Sequence, residues 1–328
     1  MKLRDVDFND VFLASGVLNF YKEGYPHHKI YKFIPGFDLN GATFISKTIT
    51  WLLKEGNMPL KENFQPKELM PSCIKIYPIE GITLNSVGLS GPGMRALLRK
   101  NRWQMLPENF LISFMAVGDT PAERLDETTK AVDLLGENLS DFKAEIGLVM
   151  NISCPNTKHK PDSLIKEAVP QLEIANKLGI PLVIKLNALT AIEAVKEICN
   201  SGFCDAVECS NTIPFGELPT RINWEHLFSS TVSPLAHLGG GGLSGWPLIP
   251  IVVDWIKAAR DDGVTIPIIA GGGIGCRKLF GKDYEEDIRT YKKAGANGVV
   301  IGIAALIRPL KIEAIIKYAS NLFREETI

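Results

Sequence analysis

The sequence predicts a (β/α)8, or TIM, barrel, and three observations lead to that fold class. Short apolar, β-branched runs recur at 11–14, 42–46, 110–117, 146–151, 182–186, 206–209, 266–270 and 299–302. Segments of helical periodicity separate most of them. Helix starts are marked between them: "TPAE" at 120–123 offers a Thr cap, a Pro at the first helical position and a Glu three residues after the cap. "TAIE" at 190–193 and "DYEE" at 283–286 repeat that capping pattern. Strand, short turn, capped helix and strand in succession is the βαβ unit of a parallel sheet. Eight such strands close a barrel, and no G-x-G-x-x-G follows the first strand to favour a doubly wound open sheet.

The chain has 328 residues, 45% hydrophobic and 22% charged, with a formal net charge of −1. That length accommodates one large α/β barrel, and we expect a single domain over 1–328. Lys and Arg are spread along the chain, so no basic patch points to nucleic acid. The apolar stretches, such as 298–307, fall far short of the ~20 residues that span a bilayer. Residues 1–10 are rich in charge and lack an apolar core, so no signal peptide is expected there. The six cysteines match neither a zinc motif nor a disulfide scaffold, which suggests a reducing cytoplasm. Cys199, Cys204 and Cys209 are expected on a helix end, a turn and a strand, where their thiols diverge, so no metal is expected.

Two stretches break the alternation, about 48–84 and 213–238. They are long and rich in Pro, and are expected to form small β insertions over the C-terminal mouth. In a barrel that mouth carries the active site, so the polar residues at strand ends are the informative ones. These are Ser15, Lys47, Asn151, Lys185, Asn211 and the glycines at 271–273 and 302. Lys185 in "VIKLN" interrupts an apolar strand, and Lys47 in "FISKTIT" repeats the pattern. Each such lysine either pairs with a barrel carboxylate or faces an anionic ligand, and two together favour the ligand. "AGGGIG" at 270–275, "VIGIA" at 300–304 and "GGGGLSG" at 239–245 are the glycine turns that let backbone N–H groups approach a phosphate.

"NISCPNT" at 151–157 sets a cysteine between two asparagines where a buried strand ends. Together with "SKTIT…GNMP", "LNSVGL", "VIKL", "SNT", "GGLSG" and "IIAGGGI…AGANGVVIG", in this order, it resembles the dihydroorotate dehydrogenase family from Ser15 to about Ala305. The resemblance implies a barrel carrying FMN that oxidises dihydroorotate to orotate in pyrimidine biosynthesis. The cysteine at 154 matches the soluble class, in which cysteine replaces the serine base of the membrane class. By resemblance Cys154 is the catalytic base. Lys47, Asn85, Val87, Gly88, Leu89, Asn151, Asn156, Asn211 and Thr212 are expected to hold the substrate. Ala14, Ser15, Lys47, Asn151, Lys185, Gly245, Gly272, Gly273, Gly302 and Ile303 are expected to hold FMN, with Lys185 facing the N1/O2 edge of the flavin. The resemblance implies fumarate, or NAD reached through a separate iron–sulfur flavin subunit, as electron acceptor, and a homodimer. Met115, Ile303 and "SGWPLIP" depart from the family's usual polar, hydroxyl and small-residue patterns.

Three other functions are compatible with the residues. One is a flavoenzyme acting on uracil or thymine, and another a Cys154–His159 nucleophile pair. The third is a non-catalytic phosphate-binding barrel.

Overall fold

Strands buried on both faces must be apolar nearly throughout, and the eight runs form such strands. The structure, a computed structural model, describes residues 1–153 and 165–324. In chain order the barrel strands are β1 (Val11–Leu13), β2 (Thr43–Phe44), β3 (Phe110–Phe114), β4 (Ile146–Asn151), β5 (Leu182–Leu186), β6 (Ala206–Cys209), β7 (Ile268–Gly271) and β8 (Gly298–Ile301). They pair in parallel in the order β2-β1-β8-β7-β6-β5-β4-β3. Parallel bridges Ile45–Leu111 and Ile49–Phe114 join β3 to the chain beyond β2 and close the barrel. A helix follows each strand, from Pro26–Tyr31 after β1 to Ile312–Arg324 after β8.

Side chains alternate along every strand, so the barrel has two cores. The outer one packs strands against helices. The inner one gathers one residue from each strand, or from just past its end in the case of β2: Phe12, Ile45, Leu111, Val149, Val183, Ala206, Ile269 and Val300. Leu3, Val6 and Phe8 join this inner cluster. They come from an N-terminal hairpin, Lys2–Leu3 with Val6–Asp7, which plugs the bottom of the barrel. Arg4 of its turn reaches Asp205 at 2.8 Å, just before β6, and Asp205 in turn accepts from the Leu182 N–H at the start of β5.

The predicted caps fare unevenly. Thr120 caps helix Pro121–Asn138 with the reciprocal Glu123 bond. At "TAIE" the helix starts at Ile192 behind Ala191, and Thr190 caps nothing through its side chain; its carbonyl takes the Trp255 indole N–H instead. Asp283 lies inside its helix rather than at the cap, because its carboxylate is claimed by Lys311 at 2.6 Å and by the Lys278 N–H.

The two irregular stretches meet. Ile74–Tyr77 and Ile82–Asn85 form a hairpin, to which Gly242–Gly245 and then Ile213–Pro214 add antiparallel. Stretch 213–238 is otherwise turns, the helix Trp224–Phe228 and a 3-10 turn at Ala236–Leu238.

If the hairpin plug seals the inner core, Phe8→Ala lowers unfolding free energy by about 3 kcal/mol or more, as large core truncations do. Phe33→Ala, at a side chain 90% exposed, changes it by less than about 0.5 kcal/mol. Urea unfolding of both variants checks this, and equal effects would show that Phe8 seals nothing.

Candidate functional site

One step above the inner apolar layer, the same alternation turns polar side chains inward. Following the inner residues by two positions gives Ala14, Lys47, Ser113, Asn151, Lys185, Glu208, Gly271 and Gly302. The ladders put Asn151 opposite Lys185 and Lys185 opposite Glu208. Buried polar groups must find partners, and here they find one another. Asn151 donates to Thr48 Oγ1 at 3.1 Å, which lies 2.8 Å from Ser113 Oγ and 2.9 Å from Ser15 Oγ. Asn211 donates to Asn151 Oδ1 at 3.2 Å and to Ser153 Oγ at 3.3 Å. Ser153, in turn, donates to the Lys185 carbonyl at 3.0 Å.

The two inward lysines have different surroundings. Lys185, 7% exposed, gives its ammonium to Glu208 Oε1 at 2.6 Å. It therefore has the barrel carboxylate that was the first of the two alternatives for such a lysine. Glu208 Oε2 is buried and has no partner among the described residues. Lys47 instead donates to the Ser90 carbonyl at 2.7 Å and lies 4.9 Å over the Phe20 ring. Burial, against the opposing pull of Cys73 and Glu23, brings its ammonium down to about 7.

Lys47 thereby joins the strand-end residues to the turn over the mouth. Val87, Gly88 and Leu89 precede Ser90, and the Val87 carbonyl accepts from Asn57 N–H. Gly56, at φ +55°, lies against this turn, and a Cβ there would overlap Ser90 Oγ and the Val87 carbonyl. Asn85 ends the strand Ile82–Asn85, and Thr212 N–H donates to its neighbour Asn211 Oδ1.

The glycine turns also converge. Gly302 lies against Ala14, and Gly273, at φ +76°, lies against Gly245 and the Trp246 backbone so closely that a Cβ would overlap them. Tyr291 holds the Gly272 carbonyl at 2.8 Å, and Asp287 takes the Gly275 N–H at 2.9 Å. Ile303 directly precedes the helix Ala304–Ile307. Met115, the departure beside β3, is buried. Cys154, Asn156 and His159 lie outside the described residues.

The residues present fit a flavin nucleotide. A polar layer with a bare buried acceptor suits a ring edged with donors and acceptors, and side-chain-free backbone around Gly272, Gly273 and Gly302 suits a phosphate. Reading strand ends missed Glu208, Thr48, Ser113 and Ser153. Glu208 carried the signal that exposed Lys185, a charge inside an apolar run.

Because the Lys47 ammonium is depressed in the fold, the unfolded chain holds a proton between about 7 and its usual 10.5 that the folded chain lacks. Raising pH through that window therefore favours the folded state. The wild type should gain stability relative to Lys47→Met from pH 7 upward. The difference between the two isolates the lysine, since buried thiols such as Cys199, pushed up to about 11, act in the opposite sense at alkaline pH. Denaturation curves at pH 6 to 9 that run parallel would remove the buried ammonium from the account.

The family model described as dihydroorotate dehydrogenase matches residues 4–318. The catalytic subunit of dihydroorotate dehydrogenase B (NAD(+)) from Thermodesulfovibrio yellowstonii is 27% identical over 303 residues, covering 89% of this chain and 88% of the relative. The corresponding subunit from Petrotoga mobilis is 26% identical over 334 residues, covering 100% of this chain and 95% of that one. Dihydroorotate dehydrogenase A (fumarate) from Lactobacillus delbrueckii subsp. bulgaricus is 27% identical over 295 residues, covering 83% and 86%. With the match running from the N-terminal hairpin into the last helix, the chain belongs to the dihydroorotate dehydrogenase family.

Proposed function

We propose that the protein oxidises dihydroorotate to orotate with FMN as its cofactor and Cys154 as its base. The observation that carries this reading is the buried polar layer, in which Asn151, Asn211, Thr48 and Ser113 converge beside Lys47. Amides there offer both a donor and an acceptor, as a pyrimidine ring requires. Bound flavin supplies a two-electron acceptor for the hydride that leaves C6 of the substrate. The thiolate of Cys154 takes the C5 proton, and the electrons of that C–H bond become the new C5=C6 bond. Asn85, Asn151, Asn156, Asn211 and Thr212 hold the ring, with Val87, Gly88 and Leu89 at its carboxylate side. Ser153, the residue before Cys154 in sequence, donates to the Lys185 carbonyl, which fixes the chain just past the end of β4. Ala14, Ser15, Gly245, Gly272, Gly273, Gly302 and Ile303 hold the cofactor with Lys185.

Lys47 adds a charge that answers to the ligand. An anion beside it stabilises the ammonium, so binding an acidic pyrimidine near pH 8 takes up a proton. Relatives named for NAD(+) and for fumarate match equally well at 27% identity, so fumarate or a separate electron-transfer subunit is the acceptor. No helix among the described residues is long and apolar enough to cross a membrane. The homodimer rests on the resemblance, and the cytoplasmic setting on the cysteine pattern.

Anaerobic titration of the FMN-loaded protein with dihydroorotate, dihydrouracil and dihydrothymine tests the substrate. Bleaching by dihydroorotate alone is expected, and bleaching only by one of the others would reassign it. Cys154→Ala should bind FMN and orotate but reduce its flavin at least ~10²-fold more slowly, the cost of losing a general base. Cys154→Ser should recover little near neutral pH, with a residual rate that climbs as pH rises. An alanine variant as fast as the wild type in rapid mixing would make Cys154 a bystander.

A further inference from the structure

Glu208 is 0% exposed, in a strand whose other residues are Ala206, Val207 and Cys209. Ala206, two residues earlier, belongs to the inner cluster, so Glu208 shares its inward face one layer higher. There it stands beside Lys185, whose other ladder neighbour is Asn151. Its two oxygens have different surroundings. Oε1 takes the Lys185 ammonium at 2.6 Å, and Oε2 is buried with no partner among the described residues. A buried carboxylate oxygen without a donor is costly, so a site that keeps one is built around a donor that arrives with the ligand. The pair also has a consequence for charge. Lys185 with Glu208 presents no net charge to the mouth, whereas a lone lysine would present one unit.

We propose that Glu208 is a cofactor-facing residue that sets both flavin affinity and flavin potential. Oε1 compensates Lys185, and Oε2 accepts a hydrogen bond from an N–H or O–H of the flavin. This rests on the flavin reading above. With the cation compensated, negative charge that collects on the ring during reduction gains less than it would beside an unpaired lysine. The carboxylate therefore favours the oxidised cofactor and lowers its potential.

The test uses wild-type protein and Glu208→Gln, each stripped of flavin and reloaded with FMN. Gln can still accept from Lys185, but it turns an NH2 group toward the position of Oε2, donor against donor. Oxidised FMN should bind roughly tenfold more weakly or worse, the factor carried by a hydrogen bond to a charged group. The midpoint potential should rise, by about 30 mV for each tenfold by which the variant favours reduced over oxidised flavin. Fluorescence titration reads the first quantity and spectroelectrochemistry the second. If the Gln variant does not accumulate as folded protein, Lys185→Met/Glu208→Gln leaves no buried charge uncompensated. That double variant should keep a near-wild-type potential while binding oxidised FMN more weakly. Wild-type affinity and potential in Glu208→Gln, or wild-type affinity in the double variant, would overturn the proposal while leaving the flavin reading intact. Wild-type protein that takes up no FMN would overturn both.

Discussion

A closed parallel sheet leaves each strand two directions for its side chains, toward the helices or toward the axis, and everything in this protein follows from that restriction. Inward positions recur every second residue, so a strand of five residues contributes only two or three groups to the axis. The lower layer is spent on packing, with Phe12, Ile45, Leu111, Val149, Val183, Ala206, Ile269 and Val300 sealed from below by Leu3, Val6 and Phe8. The next layer cannot be sealed in that way because it opens on the mouth. It holds Ser113, Asn151, Lys185 and Glu208, and burial obliges them to find partners: Ser113 and Asn151 meet at Thr48 Oγ1, and Lys185 pairs with Glu208. A registry slip of one residue would send these four toward the helices and bring Cys209 and Met150 to the axis. The apolar layer is thus what aims the polar one.

The glycine turns need a different support, since backbone without side chains has little to pack with. Here buried ions brace the loop after β7 from behind. Asp287 accepts from Gly275 N–H and pairs with Arg277; Lys311 donates to the Gly275 and Lys278 carbonyls and to Asp283; Arg308 donates to the Cys276 and Lys278 carbonyls. Burial pushes the Asp287 carboxyl up, while the Gly275 N–H and Arg277 pull it down. Arg308 and Lys311 follow β8, so the loop after β7 is held by the segment after its neighbour. The two loops are therefore cross-linked by side chains rather than by backbone pairing alone.

Much of this was legible in the sequence because it is local. Strands β4, β5 and β6 coincide with apolar runs read at 146–151, 182–186 and 206–209. The Thr120 cap is local as well. Asp283 was misread because its carboxylate answers to Lys311, 28 residues away and visible only in three dimensions. Asn151 and Asn211 were legible as polar residues at the ends of apolar strands, and the resemblance added their role toward a pyrimidine. Glu208 was missed for a simpler reason. A glutamate in "AVEC" and a lysine in "VIKL" are the same anomaly, yet pairing them requires knowing that β5 and β6 are neighbours in register.

Lys47 and Lys185 show how far such a pattern carries. Both interrupt apolar runs and both turn inward, yet Lys185 has a carboxylate at 2.6 Å while Lys47 has a neutral carbonyl and an aromatic face. A carbonyl and a ring can orient an ammonium without balancing its charge, and burial accordingly draws the Lys47 proton affinity down to about 7. The polar layer therefore has one cation in a close ion pair and one that feels only the weaker pull of Cys73 and Glu23. Under the proposed function, an acidic pyrimidine bound beside Lys47 adds the close counter-charge that no described residue gives it.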